Sequence, residues 1–194
     1  MNNTLHTSVA WTDPTITRLA ERYYQRLAEV LGQRFPQIRS PVAPPSPSLE
    51  DFYSAVDTLL RQNDTPALGI EQGYGIRISD YGVIGLAIAS AASLGEALQV
   101  QGDYLALITD TKRFRYRLIE EGRVMSLVIE ETQPGLWPHH FVVEFEMGAQ
   151  IRFFHDLEPD LKKTECTLNL PYRCPTTRRH YRDLLGCNVR FNQP

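Results

Sequence analysis

Cysteine is scarce in this 194-residue chain. Cys166, Cys174 and Cys187 make an odd count with no C-x-x-C pair, which speaks against a disulfide framework and points to reduced thiols in a cytoplasmic protein. No run of 18 apolar residues exists, so no segment reads as a membrane-spanning helix. The opening MNNTLHTSVAWTDP has no basic stretch followed by an apolar one and does not read as a signal peptide. Surplus positive charge is also missing. At a net charge of −3, this segment is not expected to grip a phosphate backbone by itself. Gly73-Tyr74-Gly75 lacks the further glycine and lysine of a phosphate loop, and neither G-x-S-x-G nor H-E-x-x-H occurs. Nothing brings Cys166, Cys174 and His180 together as a nucleophile with its base, so the chain is not read as an enzyme and no cofactor is expected.

What remains is an ordinary globular composition, 42% hydrophobic and 22% charged, in a length suited to one domain. Asp13-Pro14 starts a helix, since Asp caps and Pro at the first helical position surrenders an amide that had no partner. Ile16, Leu19, Tyr23, Leu27, Val30 and Leu31 form its apolar stripe. Prolines from 40 to 48 impose an extended spacer. Ser48 then opens a second helix, with Asp51 three residues on and Phe52, Ala55, Val56, Leu59 and Leu60 facing inward. The expected organisation is an N-terminal helix at 13–35, a Pro-rich linker at 36–48 and a main body at 49–194.

Residues 75–108 read as two helices with a sharp joint. Ser79 or Asp80 caps the first, and Ser93 with Glu96 forms a capping box for the second. Between them GVIGLAIASAA is apolar all round, which predicts a helix buried on all sides. The period then changes to two. Phe114, Tyr116 and Leu118 alternate with Arg113, Arg115 and Arg117, and Met125, Leu127 and Ile129 return after a turn at Glu121-Gly122. The arginines read as a wet strand face opposite Glu130 and Glu131. Residues 138–155 alternate almost perfectly and by period alone favour a strand. Glu165–Leu170 reads as a strand, Thr176 or Thr177 caps a helix stopped by Gly186, and Asn188–Phe191 closes as a strand. The basic group Arg178, Arg179, His180 and Arg182 reads as a solvated helix face.

The run YGVIGLAIASAASLGEAL resembles the signature stretch of the effector-binding N-terminal domain of AraC-type transcription regulators, in the helical arabinose-binding or OruR-like subfamily rather than the cupin kind. The likeness extends from Leu68 to Phe191 and includes a closing pattern at Pro175, Tyr181, Leu184, Leu185, Gly186, Cys187, Val189 and Phe191. The resemblance implies a helix, not a strand, over 138–155, and that expectation is adopted here. It completes an α+β fold: a helical N-terminal half packed on a small, about four-stranded antiparallel sheet, with order β-β-α-β-α-β in the C-terminal half. It further implies a domain that binds a small-molecule effector, forms a homodimer, and meets promoter DNA only through a C-terminal helix-turn-helix domain. That domain is absent from this sequence, which ends where the family pattern would continue, as in a truncated chain.

An effector site would be an apolar cleft with a few polar tips. Tyr74, Tyr81, Tyr104, Trp137, Phe145 and Tyr172 are the rings available to line one, and Arg77 or Arg152 could fix an anionic group by a bidentate contact. His139, His140 and His155 could converge on a transition metal or haem in a stand-alone sensor, although carboxylates and cysteines at ligand spacing are lacking, so no metal is expected. His140 is accordingly kept as a pocket candidate. A pure oligomerisation module without ligand is the remaining alternative.

Overall fold

The computed structural model describes residues 14–108, 114–122, 124–131, 139–159, 166–174 and 176–193. Its elements run α1 (Pro14–Arg34), α2 (Leu49–Gln62), α3 (Leu68–Tyr74), a 3₁₀ turn (Ile78–Tyr81), α4 (Gly82–Ala89), α5 (Leu94–Ile108), β1 (Phe114–Glu121), β2 (Val124–Glu131), α6 (His139–Leu157), β3 (Thr167–Leu170), α7 (Arg178–Leu185) and β4 (Asn188–Phe191).

Local signals position most of these elements. The Ser48 hydroxyl accepts from the Asp51 amide at 3.0 Å, and the Asp51 carboxylate accepts from the Ser48 amide at 2.9 Å, a closed capping box. Thr177 caps α7 by accepting from the His180 amide, and Gly186 ends it at φ 65°. At the α4–α5 joint Ser93 caps as expected, accepting from the Glu96 amide at 3.2 Å. The Glu96 carboxylate, however, takes the amide of Ala92 rather than that of Ser93. Asp13, the expected cap of α1, lies outside the described residues.

Helix α6 is the axis of the molecule. Gly69 and Gly73 of α3 and Gly148 of α6 let the two helices touch backbone to backbone: a Cβ on Gly73 would overlap the Phe145 carbonyl, and one on Gly148 would fall 2.5 Å from the Ile70 carbonyl. On one side Tyr23 of α1 and Phe52 of α2 meet Phe145, with the Tyr23 and Phe145 ring centroids 4.7 Å apart. On the other, Ile151 joins Leu168, Leu170, Tyr181, Leu185, Val189 and Phe191 in a second core. A helix enclosed this way has no polar stripe, because Glu144, Glu146 and Gln150 are buried beside Phe145 and Ala149. That is why the period of residues 138–155 misleads and the helix expected from the family resemblance is the right element.

Two expectations need correction. Among the described residues the four strands follow the expected order but form two separate two-stranded sheets rather than one antiparallel sheet. β1 and β2 are an antiparallel hairpin with Arg117 paired to Glu130 at 2.8 Å, whereas β3 and β4 are parallel. The connection through α7 supplies the crossover that parallel strands require. Secondly, α4 is not buried on all sides. Gly85 and Ile88 face inward, while Val83 is 80% and Leu86 67% exposed. A Cβ on Gly85 would overlap the Ile78 carbonyl, so the preceding turn packs on the Gly85 face of the helix.

Candidate functional site

A cavity of about 370 Å³ opens where the α2–α3 connection, the first turns of α6 and the segment after β3 converge. Leu60, Pro66, Leu68, Phe141 and Tyr172 give it apolar walls, with Thr65, His140, Glu144 and Arg173 as the polar groups. Such a mixture is what a small-molecule site requires.

Glu144 is the centre of its polar side. The carboxylate oxygen Oε1 accepts from the Tyr181 hydroxyl at 2.5 Å and from the Tyr172 hydroxyl at 3.1 Å. Backbone amides of Ile70 and Gly69, at the start of α3, also point to the carboxylate. Burial raises the Glu144 pKa from its ordinary 4.5, and these four donors oppose that rise. Burial, with Glu144 as neighbour, pushes both tyrosine hydroxyls well above their ordinary range, so they stay protonated and donate. Both tyrosine hydroxyls converge on the one oxygen Oε1. Glu144 is therefore an anchor joining α3, α6 and α7 rather than an open counter-charge for a ligand.

Thr65 differs. The residue lines the cavity, and its hydroxyl is buried with no hydrogen-bond partner. A group left this way costs free energy that a ligand could recover. Beside it Ala67 adopts a left-handed conformation at φ 65°, a sterically costly choice for alanine, at the cavity wall.

The residues singled out from sequence are spread over three places. Tyr172 and His140 do meet at this cavity, their ring centroids 4.7 Å apart. Tyr74, Arg77 and Arg152 gather near the C-terminal end of α6. There Asp156 binds Arg152 at 2.7 Å and Arg77 at 3.4 Å, the Arg152 guanidinium lies over the Tyr74 ring, and the Tyr74 hydroxyl reaches His155 Nδ1 at 3.1 Å. Asp156 thus pairs with both arginines named as anion-fixing candidates. Arg77 and Asp156 also border a second hollow of about 540 Å³ between α4, α5 and the end of α6. Phe145 and Tyr81 are core: Phe145 packs on Tyr23, and Tyr81 packs edge-on against Phe153. Trp137 and the side chain of Tyr104 lie outside the described residues.

His140 and His155 do not converge. They stand near opposite ends of α6, and fifteen residues of helix separate them by roughly 22 Å. The two therefore do not share one metal or haem. His180, read as part of a solvated basic face, is instead half-buried in a pairing with Glu71 at 2.7 Å, which Arg34 also joins.

Sequence reasoning missed Thr65 and Glu144. Thr65 carried only the signal of a helix end before Pro66. Glu144 did carry one, a lone carboxylate within the apolar run FVVEF, which on a buried helix demands partners.

Residues 45–194 match the family model described as the arabinose-binding domain of AraC transcription regulator, N-terminal. Among characterised proteins the chain is similar to the ornithine utilization regulator of Pseudomonas aeruginosa, 23% identical over 138 residues, which span 66% of this chain and 37% of that protein. Among solved structures it is similar to the crystal structure of the transcriptional regulator CdpR from Pseudomonas aeruginosa, with a TM-score of 0.63 and 25% identity over 88% of this chain and 51% of that one. The chain thus spans about half, or less, of the length of these regulators. Among the described residues no helix is long and apolar enough to cross a membrane.

Proposed function

The chain belongs to the family of arabinose-binding, N-terminal domains of AraC transcription regulators, and from that premise we propose that it senses a small molecule in the Thr65–Tyr172 cavity and controls an attached DNA-binding domain in the cytoplasm. The observation that carries the site assignment is the buried, unpartnered hydroxyl of Thr65, a residue that lines a mainly apolar cavity. A ligand that supplies a hydrogen bond there is preferred over one that merely fills space.

The proposed effector is a mainly apolar molecule with one polar group. Because Glu144 is buried and already holds Tyr172 and Tyr181, it is engaged within the protein rather than presented to an ammonium group. The ornithine utilization regulator shares less than a quarter of its residues with this chain over the matched stretch. Its named amino acid, with two amines, is a poor fit to this wall.

Control of DNA binding requires that the effector prefer one of two domain arrangements, since equal affinity for both shifts nothing. The cavity is bounded by the segment that follows β3, and Tyr172 on that segment ties into the β3–α7–β4 unit through Glu144. Filling the cavity would bear on that unit. The proposal includes a homodimer, supported by the exposed apolar face of α4 at Val83 and Leu86.

A thermal-shift screen of amino acids, organic acids and fatty acids tests the site. A ligand at a hundred times its dissociation constant adds about 2.7 kcal/mol to stability. The expected hit is an organic or fatty acid whose shift is largely lost in Thr65→Val. A flat screen favours an oligomerisation module, and a hit unaffected by Thr65→Val places the ligand elsewhere.

A further inference from the structure

We propose that Cys166 and Cys187 are a peroxide-oxidisable thiol pair that closes reversibly into an intramolecular disulfide at the foot of the parallel β3–β4 sheet. The strand register pairs Thr167 with Asn188, and one step back along it sets Cys166 opposite Cys187. The Asn188 amide donates to the Cys166 carbonyl at 3.0 Å, which continues the ladder to that step. Side chains at registered positions of parallel neighbours project from the same face. Adjacent strands lie about 4.8 Å apart, inside the Cα separation of roughly 4.4–6.8 Å that a disulfide spans. Both cysteines are free thiols here.

The two thiols are unequal in a way that assigns their roles. Cys166 is half-buried and so reachable by a small oxidant, whereas Cys187 is buried in the second core. A hydrogen bond from Cys187 lowers the Cys166 pKa, and the same contact together with burial raises that of Cys187. An accessible thiol of lowered pKa beside a second cysteine is the arrangement of an attacking and a resolving pair. The third cysteine, Cys174, is occupied differently, its thiol directed to the Thr176 carbonyl at 3.5 Å.

The chemistry balances with hydrogen peroxide as oxidant. The Cys166 sulfur attacks one peroxide oxygen, the O–O bond breaks, and the departing hydroxide takes the thiol proton to leave as water. Cys166 is then a sulfenic acid. The Cys187 sulfur, giving up its proton, attacks the Cys166 sulfur. The S–S bond forms, the S–O bond breaks, and the oxygen leaves with that proton as a second water. Two thiols lose two hydrogens and two electrons, and one peroxide becomes two waters. A dithiol reductant reverses the step by exchange. In a reducing compartment such a bond is transient and signals oxidant.

The test treats the purified chain with a small excess of hydrogen peroxide, alkylates remaining thiols, digests without reductant and maps the peptides by mass spectrometry. The expected product is a peptide joining Cys166 to Cys187, two hydrogens lighter than its parts, with Cys174 alkylated and the link lost on dithiothreitol treatment. Cys174→Ser forms the same link at the same rate. Cys187→Ser instead accumulates a Cys166 sulfenic acid that dimedone traps severalfold above the wild type. A linked peptide containing Cys174, a covalent dimer, or full alkylation of Cys166 and Cys187 after treatment each overturns the proposal. These outcomes are read on the unmodified chain and do not depend on a Cys187 variant folding.

Discussion

The Tyr181 hydroxyl of α7 donates to the Glu144 carboxylate of α6 at 2.5 Å, and this contact pins the late helix to the central one. Glu144→Ala would leave two buried tyrosine hydroxyls and the first amides of α3 without their acceptor, and would open a cavity as well. A loss of about 3 kcal/mol is expected, read as the midpoint shift in urea unfolding. Glu144→Gln keeps the volume and one carbonyl acceptor and should cost about 1 kcal/mol. Equal costs for the two variants would contradict the anchor.

The sign of the pH response follows from the same residue. Burial holds the folded-state pKa of Glu144 above its ordinary 4.5. In the window between the two values the folded chain binds more protons than the unfolded one, so stability falls as pH rises through it. The contribution is fully present below pH 4.5 and lost above the folded pKa. Urea unfolding of the wild type and Glu144→Gln across that window should differ in slope, the wild type losing more with rising pH. A wild type that gains relative to the variant would reverse the assignment.

Contact between α3 and α6 rests on glycines. Gly73→Ala must push a methyl group into the Phe145 carbonyl, a backbone atom that cannot rotate away. We expect a destabilisation of about 3 kcal/mol or more from such overpacking. Gly32→Ala is the control: it lies in α1 with nothing within 4 Å of the new methyl, and should stabilise by about 0.5–1 kcal/mol through helix propensity. Thermal unfolding of the two variants moves in opposite directions if the packing is right.

Thr65 is predicted to cost the ligand-free protein stability. Thr65→Val replaces a buried hydroxyl that has no partner by a methyl group of similar size. The ligand-free chain should gain about 1 kcal/mol, while effector affinity falls. Stability and binding moving apart in one variant is the signature of a hydroxyl retained for a ligand. A destabilised Thr65→Val would show that water or another group satisfies the hydroxyl in solution.

Much of the fold was legible where the signal is local. Ser48 with Asp51, Thr177, and Gly186 at φ 65° are set by atoms within a few residues, and each sits where its chemistry requires. Tertiary context overrode pattern elsewhere. Helix α6 looked like a strand because its polar residues are buried against partners far along the chain: Tyr172 and Tyr181 for Glu144, Tyr116 for Glu146. The pairing of β3 with β4 and the separation of the hairpin depend on crossover geometry that alternation does not encode. The candidate site was half visible. Tyr172 and His140 stood out as ring residues, but Thr65 is remarkable only for what it fails to bond, a property of the folded chain.

Helix α4 carries the last prediction. Its sequence is apolar all round, yet only one side is covered: Ile88 is buried, and Leu86 and Val83 are open to solvent. Ile88→Ala should therefore cost about 3 kcal/mol, and Leu86→Ala about 0.5 kcal/mol or less in the isolated chain. Burying an exposed leucine against a partner can yield about 2 kcal/mol, which is the free energy a homodimer through this face would draw on. Sedimentation equilibrium of the wild type should then show a dimer that Leu86→Glu weakens at least tenfold, while its thermal unfolding at low concentration is unchanged. A wild type that sediments as a monomer at tens of micromolar would remove the dimer from the proposed function and leave α4 a solvent face. A dimer indifferent to Leu86→Glu would move the interface to another surface.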